Sequence, residues 1–220
     1  VICGRNIDTL KNSSEEISSK SGRECFYVQG DITSENDRKR ILSYSRSKIE
    51  TIDVLVTNSG GPKPGNFDDH DNEDWSDAYS LLIESTVSMI RGVLPDMKER
   101  NWGRIITITS QAVKQPVEGL ILSNSVRSAI LGLVKTLSIE LGKYNITVNN
   151  VLPGYTLTDR LENLIRQRGT SLENISVNVP LKRVGLPNEF AAAVAFLASE
   201  KASYITGISL PIDGGWIKGI

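Results

Sequence analysis

Thr147-Val148-Asn149-Asn150-Val151-Leu152-Pro153-Gly154 decides the fold. With Ile146 it opens as a short β-branched run, the composition of a buried strand. It closes on Pro-Gly, a pair that stops a strand. Before it stands the strongest helical pattern of the chain. Leu122, Val126, Ile130, Leu133, Leu137 and Leu141 recur at spacings of three and four. Ala129, Leu131 and Val134 make other faces apolar too. A helix of that kind is buried against a sheet or against another subunit.

The same alternation continues on both sides. Upstream, Arg104 to Thr109 reads as a strand. A helix precedes it, with Trp75, Ala78, Leu82, Ser85, Met89 and Val93 in register, and Pro95 is expected to end it. Val54-Leu55-Val56 is a third strand, closed by Asn58-Ser59-Gly60-Gly61. Earlier still, Ser34 is placed to cap a helix carrying Ile41, Ser45 and Ile49. Cys25 to Val28 and Val1-Ile2-Cys3 are short apolar runs, separated by a helical stretch with Ile7, Leu10 and Ile17. Downstream come a polar region from Asp159 to Pro187, a helix through Leu197, and a strand at Ile208-Ser209-Leu210 ended by Asp213-Gly214-Gly215. Asn163 to Pro187 reads as loop, either a substrate lid or a plain surface excursion. Short, nearly continuous apolar strands alternating with helices predict one α/β domain over residues 1–220, a parallel sheet covered on both faces.

Composition excludes several functions. The 220 residues carry a formal net charge of −1, which argues against nucleic acid or an anionic membrane surface as partner. The longest apolar run, Phe190 to Ala198, is far short of the ~20 residues of a membrane span. No secretory signal is visible. Two cysteines, Cys3 and Cys25, make no disulfide framework, and the lone His70 excludes a multi-histidine metal site. His70 sits among Asp68, Asp69, Asp71, Glu73 and Asp74, which reads as a solvated acidic loop rather than a cation site. The expectation is a soluble, cytoplasmic protein without a metal.

Five stretches taken together resemble the short-chain dehydrogenase/reductase family. They are Asn58-Ser59-Gly60-Gly61, Thr107-Ile108-Thr109-Ser110, Thr147 to Gly154, Pro180 to Glu189, and Tyr204-Ile205-Thr206-Gly207 through Asp213-Gly214-Gly215. They fall in the family's order across essentially the whole chain, most like the 3-oxoacyl-carrier-protein reductases. The resemblance implies a Rossmann-type doubly wound sheet, a nicotinamide cofactor and a homo-oligomer, a dimer or tetramer. It implies that the helices at 75 to 95 and 120 to 142 pair between subunits.

Two departures qualify it. The family opens with a strand and a glycine-rich turn that seats the pyrophosphate on a helix N-terminus. This chain lacks that strand and turn, since Val1 already matches the family's second strand. The absent strand would lie mid-sheet, so a seam of unpaired backbone is expected, and the sequence reads as part of a longer protein or else as a rearranged fold. The second departure is chemical. The family works with Asn, Ser, Tyr and Lys: Tyr protonates the carbonyl oxygen, Lys lowers its pKa and holds the ribose, Ser polarises the carbonyl. Ser110 matches the Ser. Ser123 stands in the Tyr position, Arg127 in the Lys position, and Leu82 in the Asn position. A serine hydroxyl is a far weaker acid than a phenol of pKa about 10. Arg127 stays charged and can grip a ribose hydroxyl or phosphate, but relays protons poorly. Ser123 and Arg127, four apart, share a helix face. Lys114 and Tyr155 are the candidates to supply a proton instead; otherwise Lys114 is solvated and Tyr155 packs a loop.

The resemblance also assigns cofactor contacts. Gly4 stands where NAD-preferring members place an acid, and Arg5 after it suits a 2′-phosphate, so NADP is expected over NAD. Asp31 matches an adenine contact, or caps the next turn. Asn58 and Gly60 let backbone approach the adenosine ribose, or simply make a tight turn. Pro153 and Gly154 shape the backbone. Thr158 matches a nicotinamide contact, or caps a helix at Asp159. The expected function is NADP(H)-dependent carbonyl reduction or alcohol oxidation on a small molecule with a non-standard site. The rivals are a non-catalytic dinucleotide-binding, structural or regulatory homologue, and a different reaction on the same scaffold, such as epimerisation or dehydration.

Overall fold

The computed structural model describes residues 1–219, and every side chain there except those of Arg160, Gln167 and Arg168. The strands are β1 (Ile2–Gly4), β2 (Tyr27–Gln29), β3 (Val54–Asn58), β4 (Gly103–Ile108), β5 (Ile146–Pro153) and β6 (Ser209–Ile212). The α-helices are α1 (Ile7–Ser21), α2 (Glu35–Ile49), α3 (Asn72–Tyr79), α4 (Ser85–Glu99), α5 (Ile121–Leu141), α6 (Asp159–Arg168), α7 (Leu172–Ser176) and α8 (Pro187–Ala198).

All paired strands run parallel. They form two sheets, β1-β2 and β3-β4-β5-β6. The expected seam therefore lies between β1 and β3, and the face of β3 there leaves Val54 and Val56 exposed. Side chains tie the two sheets. Arg38 of α2, itself buried, donates to the carbonyls of Ile32 and Thr33 and to the Glu84 carboxylate at 2.7 Å.

Both faces of the larger sheet are covered. On one, Leu42, Ile90, Val93, Met97, Ile130 and Val134 pack against Leu55, Ile105 and Val148. On the other, Leu197, Ala202, Phe190 and Val194 pack against Ile106 and Val151. The mid-sheet strands also carry a polar zipper. Thr107 and Thr109 hydroxyls both donate to Asn150 Oδ1 at 3.0 Å, and Asn149 Nδ2 donates to Ile205 O at 2.8 Å. Asn149 and Asn150 are fully buried, so each of these bonds offsets a desolvation cost.

Helix starts follow the sequence signals. Asn6, Ser34 and Asp71 cap α1, α2 and α3 by accepting backbone N–H groups. Two expectations fail. Pro95 does not end its helix; α4 continues to Glu99. The final turn is held by Met97 in the core and by Asp96, whose carboxylate accepts from Arg46 Nε at 2.8 Å. Tertiary packing outweighs one missing backbone donor here. Nor is Asn163 to Pro187 a plain loop. It carries the rest of α6, with Leu161 buried beneath, and all of α7. Its charge-rich sequence hides the apolar stripe. No helix among the described residues is long and apolar enough to cross a membrane. None of their His, Cys, Asp and Glu side chains cluster in threes to hold a metal, and both cysteines are free.

Candidate active site

The C-terminal ends of β3, β4 and β5 open on one side of the larger sheet, the side where ligands bind in parallel α/β folds. β4 delivers Ser110, which caps a short turn at Gln111–Val113 and accepts from Ala112 N–H at 3.1 Å. α5 delivers Ser123 and Arg127, both buried. Arg127 donates to the Gly60 carbonyl at 2.8 Å, which ties α5 to the loop after β3. A cavity of about 70 Å³ is lined by Asn58, Ser59, Leu82, Thr107, Thr109 and Arg127, with Cys3 and Ile32 across the seam.

Leu82 is buried and lies in a widened helical turn, Ser80–Glu84, between α3 and α4. Such turns insert one residue per turn and often mark functional places. Leu82 and Arg127 line the same cavity.

Tyr155 lies elsewhere. It follows Gly154, where a Cβ would come within 2.5 Å of Asp213 Cα; only glycine fits that approach. The Tyr155 ring meets Trp216 edge-on, centroids 6.0 Å apart at 86°. Asp213 turns the chain back by accepting Gly215 N–H at 2.9 Å and Ile217 N–H at 2.8 Å. Tyr155 and Trp216 line a second cavity of about 240 Å³ with residues of α6, of α7, of their joint and of the segment after α7. Sequence reasoning missed Trp216; the signal was the Asp-Gly-Gly turn before it. It also missed Gln111, whose buried Oε1 has no partner among the described residues and faces Gly154. Lys114 is exposed and lines neither cavity.

At the other end, Asp31 accepts from the Thr33 N–H at 2.9 Å and the Thr33 hydroxyl at 2.8 Å. These two bonds, with Arg5 nearby, hold its carboxyl below the usual range despite some desolvation. The exposed Arg5 gives its carbonyl to Gln29 Nε2 at 2.9 Å, leaving the guanidinium to solvent. A Cβ on Gly60 would meet no atom within 4 Å, so the space above that loop is open. Thr158 caps α6 by accepting from Leu161 N–H at 3.4 Å. Pro153 ends β5 opposite Ile212. His70 sits with its Nδ1 3.1 Å from Asp74, against Gly65.

A family model described as enoyl-(acyl carrier protein) reductase matches residues 1–217. The chain belongs to the short-chain dehydrogenase/reductase family. It is 34% identical to the NADPH-dependent reductase BacG of Bacillus subtilis, over 100% of this chain and 88% of that protein. It is 32% identical to the 7alpha-hydroxysteroid dehydrogenase of Escherichia coli, over 99% of this chain and 84% of that one. Among solved structures, it resembles YwfH, an NADPH-dependent reductase involved in bacilysin biosynthesis. There the TM-score is 0.95 at 32% identity, covering 100% of this chain and 89% of that one. It also resembles L-sorbose reductase of Gluconobacter frateurii, solved with NADPH and L-sorbose. That match has a TM-score of 0.92 at 28% identity and covers 100% and 87% of the two chains. This short-chain dehydrogenase/reductase thus carries the parallel sheet and flanking helices of its solved relatives.

Proposed function

We propose that the chain is an NADP(H)-dependent oxidoreductase interconverting a small-molecule carbonyl and its alcohol through a rebuilt proton-supplying site. One observation carries this reading. Arg127, a fixed cation, is seated on the Gly60 carbonyl at the mouth of the adenosine-side cleft, where a ribose hydroxyl or phosphate oxygen would need a donor. The relatives named for NADPH support the choice of cofactor, and so does Arg5.

A bound nicotinamide would supply the hydride chemistry. Arg127 would hold and orient it, while Asp31 and Arg5 would hold the adenosine end. The hydroxyls of Ser110 and Ser123 donate hydrogen bonds that polarise a carbonyl. Neither is acidic enough to give up its proton unaided. Tyr155, which lines the second cavity rather than that of Arg127, is the phenol we assign to protonate the oxygen. Lys114, exposed, has no part in this reading. The exposed apolar groups Ile139 on α5 and Tyr79 on α3 support a homo-oligomer, dimer or tetramer, packed through these helices. A monomeric mass by light scattering at micromolar concentration would remove that part.

The test is an NADPH titration by nicotinamide fluorescence, followed by NADPH oxidation against a carbonyl panel. Saturable binding with turnover is expected. Binding without turnover of any carbonyl favours a second reading, a non-catalytic dinucleotide-binding homologue. What speaks for that reading is Leu82 and Ser123, which replace two polar groups of the family's reaction with an apolar one and a feeble acid.

A further inference from the structure

Ser110, which polarises the carbonyl in the reading above, sits on a turn that is docked on a distant part of the chain. Its Oγ accepts from Ala112 N–H at 3.1 Å. A hydroxyl that accepts in this way is held in one rotamer, and its own proton remains to be donated. The turn then runs on without a break. Val113 N–H donates to Ser110 O at 3.3 Å. The N–H groups of Lys114 and Gln115 both donate to Gln111 O, at 3.0 and 3.1 Å. Whatever holds Gln115 therefore holds the backbone that orients Ser110.

What holds Gln115 is the segment after β6. Lys218 N–H donates to Gln115 Oε1 at 3.0 Å. That segment has a frame of its own. The Asp213 carboxylate accepts from Gly215 N–H and Ile217 N–H, and Trp216 N–H donates to Asp213 O at 3.3 Å. Asp213 in turn lies against Gly154 so closely that a Cβ there would come within 2.5 Å of its Cα. The buried Gln111 amide meets the same spot, its Oε1 3.1 Å from where that Cβ would stand. The Ser110 turn thus rests on this frame at both ends, through the Gln111 side chain at its start and the Gln115 side chain at its close.

We propose that Gln115 is a positioning residue for the reaction. Through its bond to Lys218 N–H, the segment from Asp213 to Lys218 splints the turn that aims the Ser110 hydroxyl. This rests on the oxidoreductase reading above. Gln115 itself touches neither substrate nor cofactor; it acts through Ser110.

A bond between one side-chain acceptor and one backbone donor can be cut from either side. Gln115→Leu removes the acceptor. Lys218→Pro removes the donor, since proline has no N–H. Gln115→Glu keeps an acceptor oxygen and is the conservative rescue. Each variant is titrated with NADPH, assayed for NADPH oxidation against the carbonyl panel, and followed by amide hydrogen exchange over residues 110–115. Gln115→Leu and Lys218→Pro should each lower kcat by about fivefold, the scale of one neutral hydrogen bond, with the NADPH Kd unchanged. Both cut the same bond, so the double variant should lose no more than either alone. Exchange over 110–115 should quicken in both single variants. Gln115→Glu should restore kcat and slow exchange.

Losses that add in the double variant overturn the proposal, as does a Gln115→Glu protein as slow as Gln115→Leu. Unchanged kcat in both single variants of a protein that reduces a carbonyl also overturns it, and leaves the oxidoreductase reading intact. Hydrogen exchange keeps the two ideas apart. Quickened exchange in both lesions, reversed in Gln115→Glu, upholds the splint even when no carbonyl turns over. In that event the oxidoreductase reading alone falls. Unchanged exchange overturns the splint whether or not a carbonyl is reduced.

Discussion

The adenosine end and the reaction end of this cleft are held together differently. At the adenosine end, the contacts run through backbone and turns: the Gly60 carbonyl on Arg127, the Asp31 turn closed by Thr33, and open space over a glycine. At the reaction end, what matters is which side chain stands at a position, and on the reading proposed above three of the family's four have changed. A backbone cradle tolerates substitution as long as its turn survives. A proton donor tolerates none. On that reading, one chain keeps a nucleotide-binding cleft while its chemistry moves.

The comparison is sharpest if the reaction end can be restored without touching the other. Ser123→Tyr should raise carbonyl turnover by about a hundredfold, the usual worth of a placed acid. An unchanged initial rate of NADPH oxidation would break the comparison at its root. Gly154→Ala is expected to cost about 2 kcal/mol, because its Cβ would overlap Asp213 backbone rather than a flexible tip. Urea denaturation reads it, and the loss should spare NADPH affinity. Arg127→Met keeps the bulk and drops the bond to Gly60; the NADPH Kd should weaken by about tenfold, near the worth of one hydrogen bond to a charged group. Tyr155→Phe should lower kcat several-fold with the NADPH Kd fixed. Unchanged turnover would end its role as proton source.

The smallest effect is a pH dependence. The Arg183 fork and the Leu186 N–H hold the Glu189 carboxyl down at about 2. A depressed carboxylate stabilises the fold above its unfolded value of about 4.3, and that contribution fades as pH falls toward the folded value. It is an exposed pair, so the effect is slight. Glu189→Gln should flatten the acid side of the stability curve in that window.

Much of the fold was legible because strands and helices announce themselves by period. The α5 stripe and Thr147 to Pro153 could hardly be read otherwise. The seam followed from strand order. Other features were hidden by competing terms. Pro95 looked like a stop because local chemistry says so, but Met97 in the core and Arg46 on Asp96 pull the helix through. The α6 segment looked like a loop because charges crowd around Leu161. The site was legible only where a residue's neighbours in sequence are its neighbours in space, as for Ser123 with Arg127. The meeting of Tyr155 with Trp216 spans most of the C-terminal third of the chain, and only the turn at Asp213 makes it.

The guanidinium on the Gly60 carbonyl has one more consequence. An ammonium in that position titrates, and its field fades as the solution becomes alkaline. A guanidinium does not titrate anywhere a protein stays folded. The contribution of that position to the potential in the cleft is therefore constant on the basic side, like a clamped electrode. The Cys3 thiol, which lines the same cavity and is pushed up by burial, is the group there that still titrates.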